Sequence, residues 1–132
     1  MRQHHPNAQS FIEVAAGCVV MVPIALLVVD VVFVLNTSRV NSDLALSAAR
    51  LAANRTDDTD ARVAAQQAVS DCKPPYNVLS VELTKFNFDS LSKLVTVTTS
   101  MELMVPVPLP GFTKTAVTAT SVQPIVGMPA SR

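Results

Sequence analysis

A polar opening stretch gives way at Val14 to an apolar run that lasts to Leu35 and is interrupted by Pro23 and Asp30. About 22 residues make a helix of roughly 33 Å, against a hydrocarbon core of about 30 Å. The run predicts one transmembrane helix over 13–35, preceded by a short leader-like tail over 1–12. From Thr37 to Arg55 the apolar positions recur three and four apart, at Val40, Leu44, Ala48, Leu51 and Ala52. Arg39, Asp43 and Arg50 fall elsewhere on that surface. No Gly or Pro separates Pro23 from Lys73, so the anchor is expected to continue directly into this amphipathic helix.

The cluster Asp57-Asp58-Thr59-Asp60 reads as the start of a second helix, with acids placed for the macrodipole and for capping. Ala61, Ala64, Ala65 and Ala68 give it a small-residue face, and Lys73-Pro74-Pro75 ends it. Beyond Pro75 the period switches to two. Leu79, Val81 and Leu83 alternate with polar residues, as do Val95, Val97, Thr99, Met101, Leu103 and Val105. Asn87-Phe88-Asp89-Ser90 supplies a turn between them, and a third strand is expected over roughly Thr115 to Val122. The link Pro106-Val107-Pro108-Leu109-Pro110-Gly111-Phe112 cannot be a central strand, because proline donates nothing to a ladder. Its apolar side chains, Pro106, Pro108, Leu109 and Phe112 above all, either contact membrane or partner or fold back onto their own sheet. The fold class is α+β: a long membrane helix continuing into an amphipathic helix, a second short helix, and a small three-stranded antiparallel sheet that the helices cover. Residues 36–132 form its one small domain.

Composition narrows the function. The 132 residues are 49% hydrophobic and 15% charged with zero net charge, and no basic cluster interleaved with aromatics appears, so nucleic acid is not an expected partner. One Tyr and no Trp argue against an aromatic-lined cleft for a small-molecule substrate. His4 and His5, both in the tail, are the only histidines, which leaves the folded part without a Ser-His-Asp or Cys-His site. The three glycines are scattered and form no phosphate loop. No catalytic residue, metal site or cofactor is expected. Cys18 lies in the apolar run and Cys72 in the soluble part, so a bridge within one chain is not expected. Cys72 is either an unpaired thiol or a link to a second chain.

The run is longer than a secretory h-region, and no small-residue cleavage site closes it. A retained anchor fits better. Counting Arg39, Arg50 and Arg55 after the run against Arg2 before it points the C-terminal part inward, but whole domains translocate largely regardless of charge. The expected orientation is N-terminus in the cytoplasm and the Thr-rich domain outside. Pro23 removes the helical donor for the Val19 carbonyl and predicts a local kink or softened turn. Asp30 lies about 24 Å along the run and is either a carboxylate reaching the far headgroups or an intersubunit contact. Glu13, at the threshold of the run, costs free energy that an ordinary anchor would avoid, and is the most informative residue of the chain.

Taken in order, these pieces resemble the TadE-like family, pilin-like minor subunits of the bacterial tight-adherence (Flp-type) pilus system. The residues that carry the resemblance are Ala8, the run Gln9-Ser10-Phe11-Ile12-Glu13-Val14-Ala15, Pro23, Asp30, the alanine-rich Ala45 to Ala53, and Thr115-Ala116-Val117-Thr118-Ala119-Thr120. Two positions depart from the family pattern: Ala8 stands where glycine is usual, and Val14 where an aromatic is common. The resemblance implies a pseudopilin of the inner membrane, cut by a prepilin peptidase between Ala8 and Gln9. Glu13 would then pair with the free terminal amine of a neighbouring subunit. It also implies other pilin-like subunits and platform proteins of the pilus machine as partners. The competing reading is an uncleaved, membrane-anchored envelope binding module in which Glu13 has no special role.

Overall fold

The computed structural model describes residues 6–109 and 112–126, with side chains described for 10–106 and 113–126. Its elements are α1 (Pro6–Ala53), α2 (Asp58–Ser70), β1 (Val78–Asp89), β2 (Leu94–Leu109) and β3 (Phe112–Pro124). The strands form one antiparallel sheet in the order β1-β2-β3, and both helices pack on one of its faces. This is the α+β layering the hydrophobic pattern predicts.

α1 is a single helix of 48 residues, about 72 Å long, and stays helical through Pro23. Anchor and amphipathic helix are therefore one rod. The expected boundary near Leu35 is a change in what surrounds it, with no break in the backbone. Below that level its apolar side chains are exposed, Phe11, Val20 and Leu27 among them. Above it, one stripe is buried: Thr37, Asn41, Leu44, Ala45, Ala48, Ala49, Ala52 and Ala53. The expected stripe is thus corrected by about one position. Leu51 is 45% exposed and Val40 only partly buried, because the buried face includes two polar residues that hydropathy assigns to the surface.

α2 covers the neighbouring strip with Ala61, Ala64, Ala65 and Val69. The expected side-chain cap is absent: Asp57 makes no capping bond, and the helix begins on its carbonyl, which accepts from the Ala61 amide at 2.9 Å. Asp58 and Asp60 still sit in the first turn, where the helix dipole favours acids. The alanines of both helices meet Val95, Val97 and Ile125 in the main core, with Leu83, Phe86 and Phe88 at its edge. Small side chains let the backbones approach closely, so little room remains for a larger residue.

The inward row of β2, Val95, Val97, Thr99, Met101 and Leu103, is fully buried as the alternation predicts. β1 departs from strict alternation. Thr84 is an extra residue between the pairs Leu83↔Thr99 and Lys85↔Thr98, and this bulge moves the inward phase from Val81 and Leu83 to Phe86 and Phe88. A second irregularity near Val78 leaves Leu79 exposed rather than inward. The turn lies three residues later than expected, because Asn87 and Phe88 still pair with Thr96 and Val95. Asp89 closes it: its carboxylate accepts from the Leu91 and Ser92 amides at 2.9 and 3.1 Å and from the Ser92 hydroxyl at 2.6 Å. Those bonds hold the Asp89 carboxyl below its ordinary value, Ser92 contributing most. Lys93, at φ 55°, takes the left-handed position that reverses the chain.

The proline link also needs correction. β2 runs on to Leu109, which pairs with Phe112, so the link closes the β2–β3 hairpin. Prolines are tolerated there because β1 stops pairing at Leu103, and beyond it β2 is an edge on that side. β3 is accordingly longer than expected at both ends.

One polar contact joins the layers. Asn41 is wholly buried, and its Nδ2 donates to the Thr99 carbonyl at 3.3 Å and to the Val117 carbonyl at 2.9 Å. The Thr99 hydroxyl donates to Asn41 Oδ1 at 2.7 Å, with the Asn41 carbonyl a weaker alternative at 3.4 Å. Far from this clamp, the Ile125 amide donates to Lys93 and the Val126 amide to the Ala53 carbonyl, which satisfies an end group of α1.

Two expectations can be measured by chemical denaturation of the full chain in detergent. Asn41→Ala and Thr99→Val each destabilise by about 1–3 kcal/mol, since each strands a buried polar partner. The double variant loses less than the sum, by at least about 0.5 kcal/mol; simple additivity would mean that the two side chains do not act together. Ala49→Leu costs about 1–3 kcal/mol by overpacking the helix–sheet seam. Leu51→Ala, on the exposed face, changes stability by less than about 0.5 kcal/mol.

Candidate functional site

Of the residues singled out from the sequence, Ala8, Gln9, Glu13, Pro23 and Asp30 belong to the lower half of α1. By length and composition this helix can cross a membrane. Ala8 and Gln9 fall in its opening turns, and their side chains lie outside the described residues. Glu13 comes one turn later, exposed, and no ion pair or side-chain hydrogen bond reaches it among the described residues. Pro23 is likewise exposed. The helix therefore presents a carboxylate and an imino acid on a surface otherwise made chiefly of apolar side chains, Val, Ile, Leu, Ala, Phe and Met above all.

Asp30 behaves differently. It is 8% exposed while Val29, Val31 and Val32 beside it are exposed, and it takes part in an interaction within the chain. Burial of an acid at this depth is costly without such a contact. Of the expected surface at the proline link, Pro106 is exposed; the side chains of Pro108, Leu109 and Phe112 lie outside the described residues.

A junction that hydropathy does not mark sits where α1 leaves its apolar half. Phe33 meets Tyr76 edge to face, with centroids 6.2 Å apart and planes at 89°. Next to it a shallow apolar recess of about 250 Å³ is lined by Tyr76, Asn77, Leu79, Met104, Val105 and Pro106. The Asn77 carbonyl accepts the Met104 amide at 2.9 Å, while its own Nδ2 is buried without a partner. The one available signal was the placement of the single tyrosine directly after Pro74-Pro75.

The outer sheet face carries hydroxyls and few charges. Thr98 and Thr120 share a 3.0 Å hydrogen bond across strands, and Lys114 pairs with Glu102 at 3.4 Å. Both partners of that pair are well exposed, so it contributes at most about 1 kcal/mol. A shallow groove of about 400 Å³ runs beside it past Glu82 and Ser100. Glu82 is exposed and Glu102 half-exposed, and among the described residues no buried base holds either.

Both cysteines are free. Cys72 is half-buried against the small cluster of Leu44, Val69 and Met101, and burial pushes its thiol up. A raised thiol pKa leaves less thiolate near neutrality. In a Cys18→Ser background, Cys72 is expected to react with iodoacetamide at pH 8 several-fold more slowly than an unstructured cysteine. Denaturation should abolish the difference; equal rates in the folded protein would contradict it.

Comparison of the chain with protein-family models, curated proteins and solved structures gives no match.

Proposed function

We propose that the chain is a non-enzymatic, TadE-like pseudopilin: a single-pass protein of the bacterial cytoplasmic membrane that serves assembly of a tight-adherence (Flp-type) pilus. Its N-terminus faces the cytoplasm and its α+β domain the outside. A prepilin peptidase cuts before Gln9, and the partners are other pilin-like subunits and the proteins of the assembly platform. The observation that carries this reading is Glu13, an exposed carboxylate at the edge of a membrane-length helix with no partner among the described residues. Such a group is stabilised by an opposite charge from a neighbouring chain, and a cleaved Gln9 supplies one in its new α-amine, four residues away on an identical helix. The unbroken rod of α1, apolar all round below and covered by a sheet above, suits a subunit packed helix to helix.

The second reading, an uncleaved envelope binding module, is favoured by the open groove past Glu82, Ser100 and Lys114 on the outer sheet face. One experiment in the native host separates the two. The pseudopilin reading expects a mature N-terminus at Gln9. It also expects Glu13→Gln to lower recovery in the envelope complex by at least about tenfold, the equivalent of about 1.4 kcal/mol. Full-length protein only, with unchanged recovery of the variant, overturns it in favour of the tethered module.

A further inference from the structure

The way the sheet runs along α1 gives its two ends different surroundings. Val95 and Val97 of β2 pack on Ala48, Ala49, Ala52 and Ala53, Met101 packs on Leu44, and Thr99 bonds to Asn41. As β2 proceeds toward its C-terminal end, it therefore descends α1 toward the apolar half. The first β-turn, with Leu91 at 95% exposure, lies at the opposite end. Phe33, touching Tyr76, marks the lower level, two residues before the apolar run ends at Leu35. From there to Ala53 is about 30 Å along the helix.

At this lower level the domain shows large apolar groups to its surroundings. Tyr76 is 88% exposed, Met104 50% and Leu79 46%, and Pro106 is exposed beside them. Among the described residues, no charged one lines this recess. Exposed Arg39 stands six residues above Phe33, about 9 Å along the axis, and lines a second recess with Val32, Phe33 and Leu35. Apolar and aromatic groups below a cation at that spacing match the layering of a bilayer boundary, where tyrosine sits among headgroups with its ring toward the acyl chains.

We propose that this end of the domain is itself a membrane contact: Tyr76, Leu79, Met104 and Pro106 seat in the boundary between headgroups and acyl chains of the leaflet from which α1 emerges. The inference rests on α1 crossing a bilayer, and does not depend on the pilus reading. The occupant is lipid because the patch is continuous, through Phe33, with the exposed apolar surface of α1. The domain then stands on the membrane as a foot around its own anchor.

The chain has no tryptophan, so single-tryptophan variants report cleanly. Tyr76→Trp and Met104→Trp are placed in full-length protein reconstituted in phosphatidylcholine vesicles, with Val22→Trp and Leu91→Trp as references. Both replace exposed side chains, and circular dichroism checks the fold. Emission at 76 and 104 should shift to shorter wavelength, and acyl-brominated lipid should quench it about threefold more than at 91. Quenching at 22 while 76 and 104 behave like 91 overturns the contact alone. Quenching at none of the four overturns the transmembrane placement of α1 as well. Loss of emission shift on dilution, with no lipid quenching, would assign the patch to a second copy and also overturns the proposal.

Discussion

The buried contact between Asn41 and Thr99 sets the relation of every other part of this molecule. The seam between α1 and the sheet is lined chiefly by alanine on one side and by valine on the other. Such a seam is close-fitting but nearly featureless, since one alanine resembles the next after each turn of the helix. Hydrophobic burial rewards contact without selecting a register. An amide that has both hydrogens committed to backbone carbonyls, and its oxygen to a hydroxyl, has one favourable position only. Slip by a single turn would leave Asn41 and Thr99 buried and unbonded, at a cost comparable to much of the stability of a small domain.

The two halves of this helix have different surroundings, and its polar residues divide accordingly. Asn41 and Thr37 are buried by protein above the junction, and Asp30 is buried within the lower half. Glu13 alone among these faces outward, at the end farthest from the sheet. Buried polar groups in the folded domain, Asn77 Nδ2 excepted among the described residues, are satisfied by the chain itself. The one at the far end is left for another molecule, which is the distinction the proposed assembly role draws on.

Much of the architecture was legible in the order of residues. The apolar run Val14 to Leu35, the alanine spacing in α2 and the strict alternation from Val95 to Leu103 are strong local signals, and the helices and strand they predict form as expected. The misses share a cause. Nothing in the sequence marks Asn41, because hydropathy has no term for a partner 58 residues away. Leu79 reads as core because period two carries no warning of a bulge, and Thr84 shows nothing in its side chain to announce one. The turn residues Asn87 to Ser90 point to a turn there, yet Asn87 and Phe88 still pair, and the turn that Asp89 closes runs on to the left-handed Lys93. The apolar foot at Tyr76 and Met104 escaped for another reason: its members come from separate segments and converge only when the sheet folds along α1.

Because its exposed apolar half and its sheet-covered half are one continuous α1, the chain has no swivel between them. A turn of the helix about its own axis sweeps the whole sheet around with it, as a flag follows its pole. Any neighbour that grips the apolar end therefore chooses the compass bearing of the hydroxyl-rich face some tens of ångströms above.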